Sequence, residues 1–287
     1  MKAIFIHELK NCIHTLATWV FAAFLLCSIG IGAMMYNIQA AVSNFEYVLS
    51  LGALVFVVIV PILTMRILAE ERRQKTDQLL YSLPLSTTEV ILGKYAALLV
   101  LYLVPLAIIS IYPLIFAQFG EVYLPTSYGS IFAFFLLGAA LLAVGVFISS
   151  LTDNQGLTAG VGIAVILFNY YSVSLSEYVS TSALGSMIAL VVISCVIGLI
   201  LKLLTGNGSL GYWTGFALSA ASMALYILNR DALDGLLPEI MSALSLFERF
   251  YVFVNGVFDV KAVVFYFSVI GFFLFLSVQS LEKRRYN

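Results

Sequence analysis

The sequence predicts an all-α polytopic membrane protein, and three observations carry that expectation. The chain is 62% hydrophobic and only 10% charged, with a mean hydropathy of +1.05, far outside what a soluble domain can cover with polar surface. Crossing the hydrocarbon core as a helix takes about 20 apolar residues, and eight runs are candidates. No segment shows the short apolar/polar alternation of a transmembrane β-barrel strand.

In chain order, residues 1–14 read as an amphipathic N-terminal helix carrying Lys2 and Lys10. The apolar runs follow at roughly 15–35, 48–68, 90–116, 128–151, 155–171, 183–201, 210–228 and 261–281, with six as the possible core. The first is longer than the apolar region of a secretory signal and reads as an uncleaved span. Pro105 kinks the third run, and Pro113 ends or kinks it again. Gly138 with Gly145, and Gly156 with Gly160, have the spacing of close helix contacts, within one bundle or between copies.

Eight spans place both termini on one side, and the positive-inside rule makes that side the cytoplasm. Lys2, Lys10, Arg66, Arg72, Arg73, Lys75, Lys94, Lys202, Lys283, Arg284 and Arg285 then lie inside, leaving Arg230, Arg249 and Lys261 outside. The stretch Glu70–Lys94, "EERRQKTDQLLYSLPLSTTEVILGK", holds eight charged residues. At about 2.5–3.5 kcal/mol per charge at the bilayer centre, it lies outside the hydrocarbon. Its helix carries Leu79, Leu80 and Leu83 on one side until Pro84 breaks it. Ser86 or Thr87 then offers an N-cap, with Glu89 following, for the next long helix. Such a helix–turn–helix is either a solvated tether or a docking shape.

On the outside the loops are short except for 229–260. There Leu236, Leu237, Ile240, Leu244 and Phe247 recur at helical spacing, predicting an interfacial or re-entrant amphipathic segment. The spans show no carboxylate or histidine at mid-depth, which disfavours an ion-coupled pump. "GNGSLG" (206–211) matches the dinucleotide fingerprint in letters alone, because that fingerprint works only between a strand and a helix. Cys12, Cys27 and Cys195 are far apart and suggest no disulfide framework. His7, Cys12 and His14 lack the spacing and the fourth ligand of a metal site. A net charge of −1 gives no basic footprint for nucleic acid.

The stretch "LAEERRQKTDQLLYSLPLSTTEVILGKYAALL" (68–99) resembles the signature of ATP-binding-cassette type-2 (ABC-2) permeases. There a span runs into two glutamates and a basic residue, then a leucine-rich helix, a Ser-x-Pro turn and a Gly-Lys pair. "LLGAALLAVGVFISSLTDNQ" (136–155) is a second match. "LSLFERFYVFVNGVFDVKAVVFYFSVIGFFLFLSVQSLEKRR" (244–285) is similar to the gliding-motility-type (GldF-like) branch. The chain departs from the pattern at Lys75, where glycine is usual, and in the two extra runs between 172 and 243, where many members have six spans in all.

The resemblance implies one transmembrane permease domain over 1–287 that couples ATP hydrolysis on a separate ATPase subunit to outward transport. It implies a coupling region at 69–89 whose polar contacts are Glu70, Glu71, Arg72, Arg73, Lys75 and Asp77, with Leu79, Leu80 and Leu83 as apolar contacts and Pro84 as the break. A second cytoplasmic contact is implied at Thr152, Asp153, Asn154 and Gln155. The implied partners are two ATPase copies holding ATP and Mg, a second permease copy or relative, a GldG-like membrane-anchored accessory protein and the lipid bilayer. No catalytic residue, cofactor or metal is expected on this chain. The alternative is a non-transporting scaffold through which an ATPase does mechanical work on the cell envelope.

Overall fold

The computed structural model describes residues 2–73, 86–179, 181–205, 208–228, 230 and 233–286, and among these every regular element is helical. Among the described residues six helical stretches are long and apolar enough to cross a membrane: Leu16–Gln39, Glu46–Arg73, Thr87–Phe116, Leu124–Leu151, Gln155–Ser176 and Val260–Lys283. The chain is therefore a multi-pass membrane protein. The remaining two predicted runs are also helical, at Ala183–Thr205 and Gly208–Leu228. In the second of these, Ser209, Thr214, Ser219 and Ser222 dilute the apolar character.

The chain divides into two compact units. The first comprises Met1–Phe168 and Arg249–Arg285. It opens with α1 (Lys2–Ile13) and α2 (Leu16–Gly32), which runs on into a π-helical stretch at Ala33–Gln39. Next come α3 (Glu46–Thr64), the short α4 (Ala69–Arg73), α5 (Thr87–Ile109) and α6 (Tyr112–Phe116). α7 (Leu124–Leu151) and most of α8 (Gln155–Ser176) follow; the unit closes with the greater part of α12 (Leu246–Val254) and with α13 (Val260–Tyr286).

α7 is the axis of this unit. Every residue from Leu136 to Ser150 is buried, as expected of a helix that is apolar all round and enclosed by its neighbours. Close approach depends on glycine at two positions. A methyl group on Gly138 would stand 2.5 Å from the Tyr102 ring, and one on Gly145 would stand 2.3 Å from Thr64 Oγ1. The pair spaced at seven residues thus seats α5 and α3 on α7. Gly160, by contrast, has nothing within 4 Å of the same position. Tyr102 is fully buried and donates its hydroxyl to Phe134 O at 2.8 Å, while Tyr95 donates to Ala139 O at 3.0 Å. Each ring brings apolar area to the core and finds an acceptor for its one polar atom.

At the end where α3 begins, buried Glu46 accepts from Ser127 Oγ at 2.9 Å. At the opposite end, Ser280 Oγ of α13 donates to Ser150 O of α7 at 2.9 Å, and Thr87 Oγ1 of α5 donates to Glu282 at 2.8 Å. α1 packs against α5 at this same end. α1 and the part of α13 around Ser280 and Glu282 therefore lie at one end of the first unit.

The second unit is Asn169–Glu248 with the last two residues. Its main feature is a helical hairpin of α9 (Ala183–Thr205) and α10 (Gly208–Leu228). The two backbones touch where Gly198 meets Gly211 and Gly215, since a methyl on Gly198 would stand 2.6 Å from Gly211 O. α11 (Leu236–Ala243) completes the unit. Asn169 spans the break after α11, donating to Leu244 O at 3.1 Å and accepting from Leu246 N at 3.0 Å. An irregular backbone inside lipid needs such partners for its exposed polar groups.

Replacing Gly138 by alanine should lower the stability of the detergent-purified protein by about 1–3 kcal/mol through overpacking, whereas Gly160→Ala should stay within about 0.5 kcal/mol. Paired thermal melts of the two variants check this.

Candidate functional site

The charged end of the first unit is built from the stretch that stands out in the sequence. α1 presents Ile4, Glu8 and Cys12 inward, all buried, and their spacing of four residues places them on one helix face. That face lies on α5, where a methyl on Gly93 would come within 3.1 Å of Ile4. Next to Gly93, Lys94 is 0% exposed. Its Nζ donates to Glu8 Oε1 at 2.7 Å, to Glu71 Oε1 at 2.6 Å and to Ile67 O at 3.3 Å. One buried ammonium thereby ties together α1, α4 and α5. Its three protons all find acceptors, as a buried cation requires.

α4 is fixed to α7 by the same logic. Between Thr64 and Ala69 the helix of the second span breaks, and Ser149 Oγ accepts from both Leu68 N and Ala69 N at 3.2 Å. Arg72 is buried; it donates to Ser150 O and lies 3.8 Å from Asp153. Glu70 forms a bidentate pair with Arg66 at 2.6 and 2.8 Å, leaving Arg73 exposed.

The predicted second contact is a turn that caps α8. Thr152 Oγ1 accepts from Asn154 N at 3.2 Å. Asn154 Oδ1 accepts from Gly156 N at 3.0 Å and from Leu157 N at 3.3 Å, and Gln155 opens the helix. Arg72 and Asp153 join the two predicted contact segments into one surface. At the other end of the charged stretch, Ser86 is the N-cap of α5 and accepts from Glu89 N at 3.2 Å, while Thr87 bonds Glu282. Lys75, Asp77, Leu79, Leu80, Leu83 and Pro84 lie outside the described residues.

Two features of this site are absent from the sequence reading. Glu8 is its inward acid, and the signal that could have found it is the Ile4/Glu8/Cys12 stripe. Lys94 is its centre, although counted by sequence it is one more cytoplasmic anchor. The polar groups described here are all engaged in holding helices together. What the arrangement can do is mechanical, because displacing α4 displaces everything bonded to Lys94, Ser149 and Ser150.

Lys94→Met should destabilise the protein by about 3–5 kcal/mol by leaving two carboxylates without their cation; adding Glu8→Gln and Glu71→Gln should recover part of the loss in thermal melts. Cys12 reports on the same packing. Burial first, and the Glu8 charge second, push its thiol up to about 11, so little thiolate forms at neutral pH. With Cys27 and Cys195 replaced by serine, maleimide labelling of Cys12 should still be rising with pH above 9, and Lys94→Met should speed it by loosening α1.

The chain was compared with known proteins. No curated protein matches the chain. The family model described as ABC-2 family transporter protein matches residues 36–229, a range running from the π-helical stretch through α10 and containing α3, α4, α5 and α7. With more than half of its length matched, and with its membrane-spanning helices in place, the chain belongs to the ABC-2 family of transporter proteins.

Proposed function

We propose that the chain is the permease subunit of an ATP-binding-cassette exporter of the prokaryotic cytoplasmic membrane, and that a separate ATPase subunit drives it through residues 69–89. ATP and Mg belong to that partner. The working assembly has two permease chains, identical or related, and two ATPases. The similarity of 244–285 to the gliding-motility-type branch adds a membrane-anchored GldG-like accessory protein.

The observation that carries this reading is the Lys94 clamp. The described part of the charged stretch ends at Arg73 and resumes at Ser86. Its departing end is held by Glu71 and Arg72, and its returning end by Ser86, Thr87 and Glu282. A push delivered between those points reaches α1, α5, α7 and α13 together. A solvated tether needs no such anchoring. The division of labour among the proposed contacts is then specific: Glu71 and Arg72 root the segment in the bundle, while Arg73 and the leucines beyond it meet the ATPase. Asp153, 61% exposed at its side chain, extends the same surface. The clustering of basic residues at this end supports its cytoplasmic placement.

If the reading is right, Arg73→Glu and Leu80→Asp should cut co-purification of the ATPase about tenfold without shifting the permease's own melting temperature. Glu71→Gln should shift both. Undiminished ATPase capture by Arg73→Glu and Leu80→Asp would remove the assignment. In a reconstituted complex, ATPase stimulation by candidate substrates separates an exporter from an envelope scaffold, which should show none.

A further inference from the structure

Arg249 sits where loop counting does not put it. The hydroxyl of Ser130 on α7 donates to Phe253 O of α12 at 3.0 Å, and Phe250 lies on Phe134 with ring centroids 5.9 Å apart. From Ser130 to Phe134 is one turn inward along α7, and from Phe253 to Phe250 is about one turn back along α12. The two helices are thus antiparallel, and α12 dips into the bundle from its outer end. Gly256, at φ 82°, lets the chain reverse direction between α12 and α13. Followed one residue further back, Arg249 meets Phe265. That ring is five residues inside α13, about 8 Å past its start at 1.5 Å per residue.

The guanidinium carbon stands 5.5 Å from the Phe265 ring centroid. Nε is buried and has no hydrogen-bond partner. Among the described residues no carboxylate lies within 4.0 Å of the group. The neighbouring acid, Glu248, is one residue away and so about 100° around the helix. A cation in the hydrocarbon costs about 2.5–3.5 kcal/mol, and an aromatic face returns only about 0.5–2 kcal/mol. An oxyanion would balance the remainder, and the planar guanidinium fork fits phosphate by two parallel hydrogen bonds. Along α13, running inward from the same depth, Val264, Phe267 and Phe275 are exposed apolar side chains at spacings of three and eight residues, one helix face.

We propose that Arg249, held over Phe265, binds the phosphate of an anionic amphiphile from the outer half of the bilayer, with its acyl chain along Val264, Phe267 and Phe275. The proposal rests on the membrane placement of α13 and is independent of ATPase coupling, so the permease alone can test it. The probes are dioctanoyl phosphatidic acid, dioctanoylglycerol and inorganic phosphate, added to delipidated full-length protein in detergent and read by native mass spectrometry. Phosphatidic acid should bind about tenfold more weakly to Arg249→Gln, with Arg249→Lys in between. Dioctanoylglycerol should not distinguish the variants, and millimolar inorganic phosphate should not displace the lipid. Equal lipid affinity in wild type and Arg249→Gln would overturn the site. Displacement by inorganic phosphate at matched concentration would overturn the amphiphile and assign free phosphate as the ligand. Should Arg249→Gln fail to fold, a photoactivatable phosphatidic acid on the wild-type protein decides. Labelling within 246–275 supports the proposal, and labelling confined elsewhere overturns it.

Discussion

A lysine ammonium with no surface exposure dictates the inner end of this protein. Hydrocarbon and packed side chains cannot solvate it, so Lys94 must be met by acids, and the acids come from two other elements. Glu8 can reach it only if α1 docks on α5, and Glu71 only if the second span bends after Thr64 and continues as α4. That bend strands backbone amides, which Ser149 of α7 accepts. Each polar group in the cluster thus settles the position of the next. A core of hydrophobic contacts alone would allow these helices to slide; buried polar groups hold them in register at a cost in stability.

The first unit has a rigid frame and a charged stretch fixed to one end of it. Here the frame is α7, enclosed on all sides and seated through Gly138 and Gly145 on Tyr102 and Thr64. The charged stretch attaches to the end of that frame where α1, α4 and α5 meet. It does so through bonds that are individually short, yet partly open to water at Glu71, which is 25% exposed at its side chain. A clamp with one partner near solvent can be remade during a cycle, whereas Tyr102 and Phe134, wholly buried, cannot move without opening the core.

Much of this architecture is legible in the sequence because helix length and hydropathy are local properties. All eight predicted runs are helical, and Ser86 caps α5 with Glu89 three residues on, as the local pattern indicates. The clamp is not legible. Lys94 is 23 residues from Glu71 and 86 from Glu8, and no periodicity says which acid finds which base across such intervals. The packing of α12 against α7, with Ser130 bonded to Phe253 O and Phe250 on Phe134, is likewise beyond what charge counting by loop can say. The close approach of α9 and α10 at Gly198, Gly211 and Gly215 is a pairing between helices that neither run's composition announces.

The separation of the clamp's partners also orders the protein's birth. During synthesis at about 5–20 residues per second, Glu8 emerges roughly 4–17 seconds before Lys94 can meet it, given the 86 residues between them. Over that interval α1 has no cation to dock on and the first two spans must insert without their inner lock. The third span brings the ammonium, and only then do α1 and α4 acquire fixed places. A chain stalled or cut before residue 94 would expose an acidic, half-apolar helix at the membrane surface, which is the kind of unfinished feature that membrane quality control can recognise.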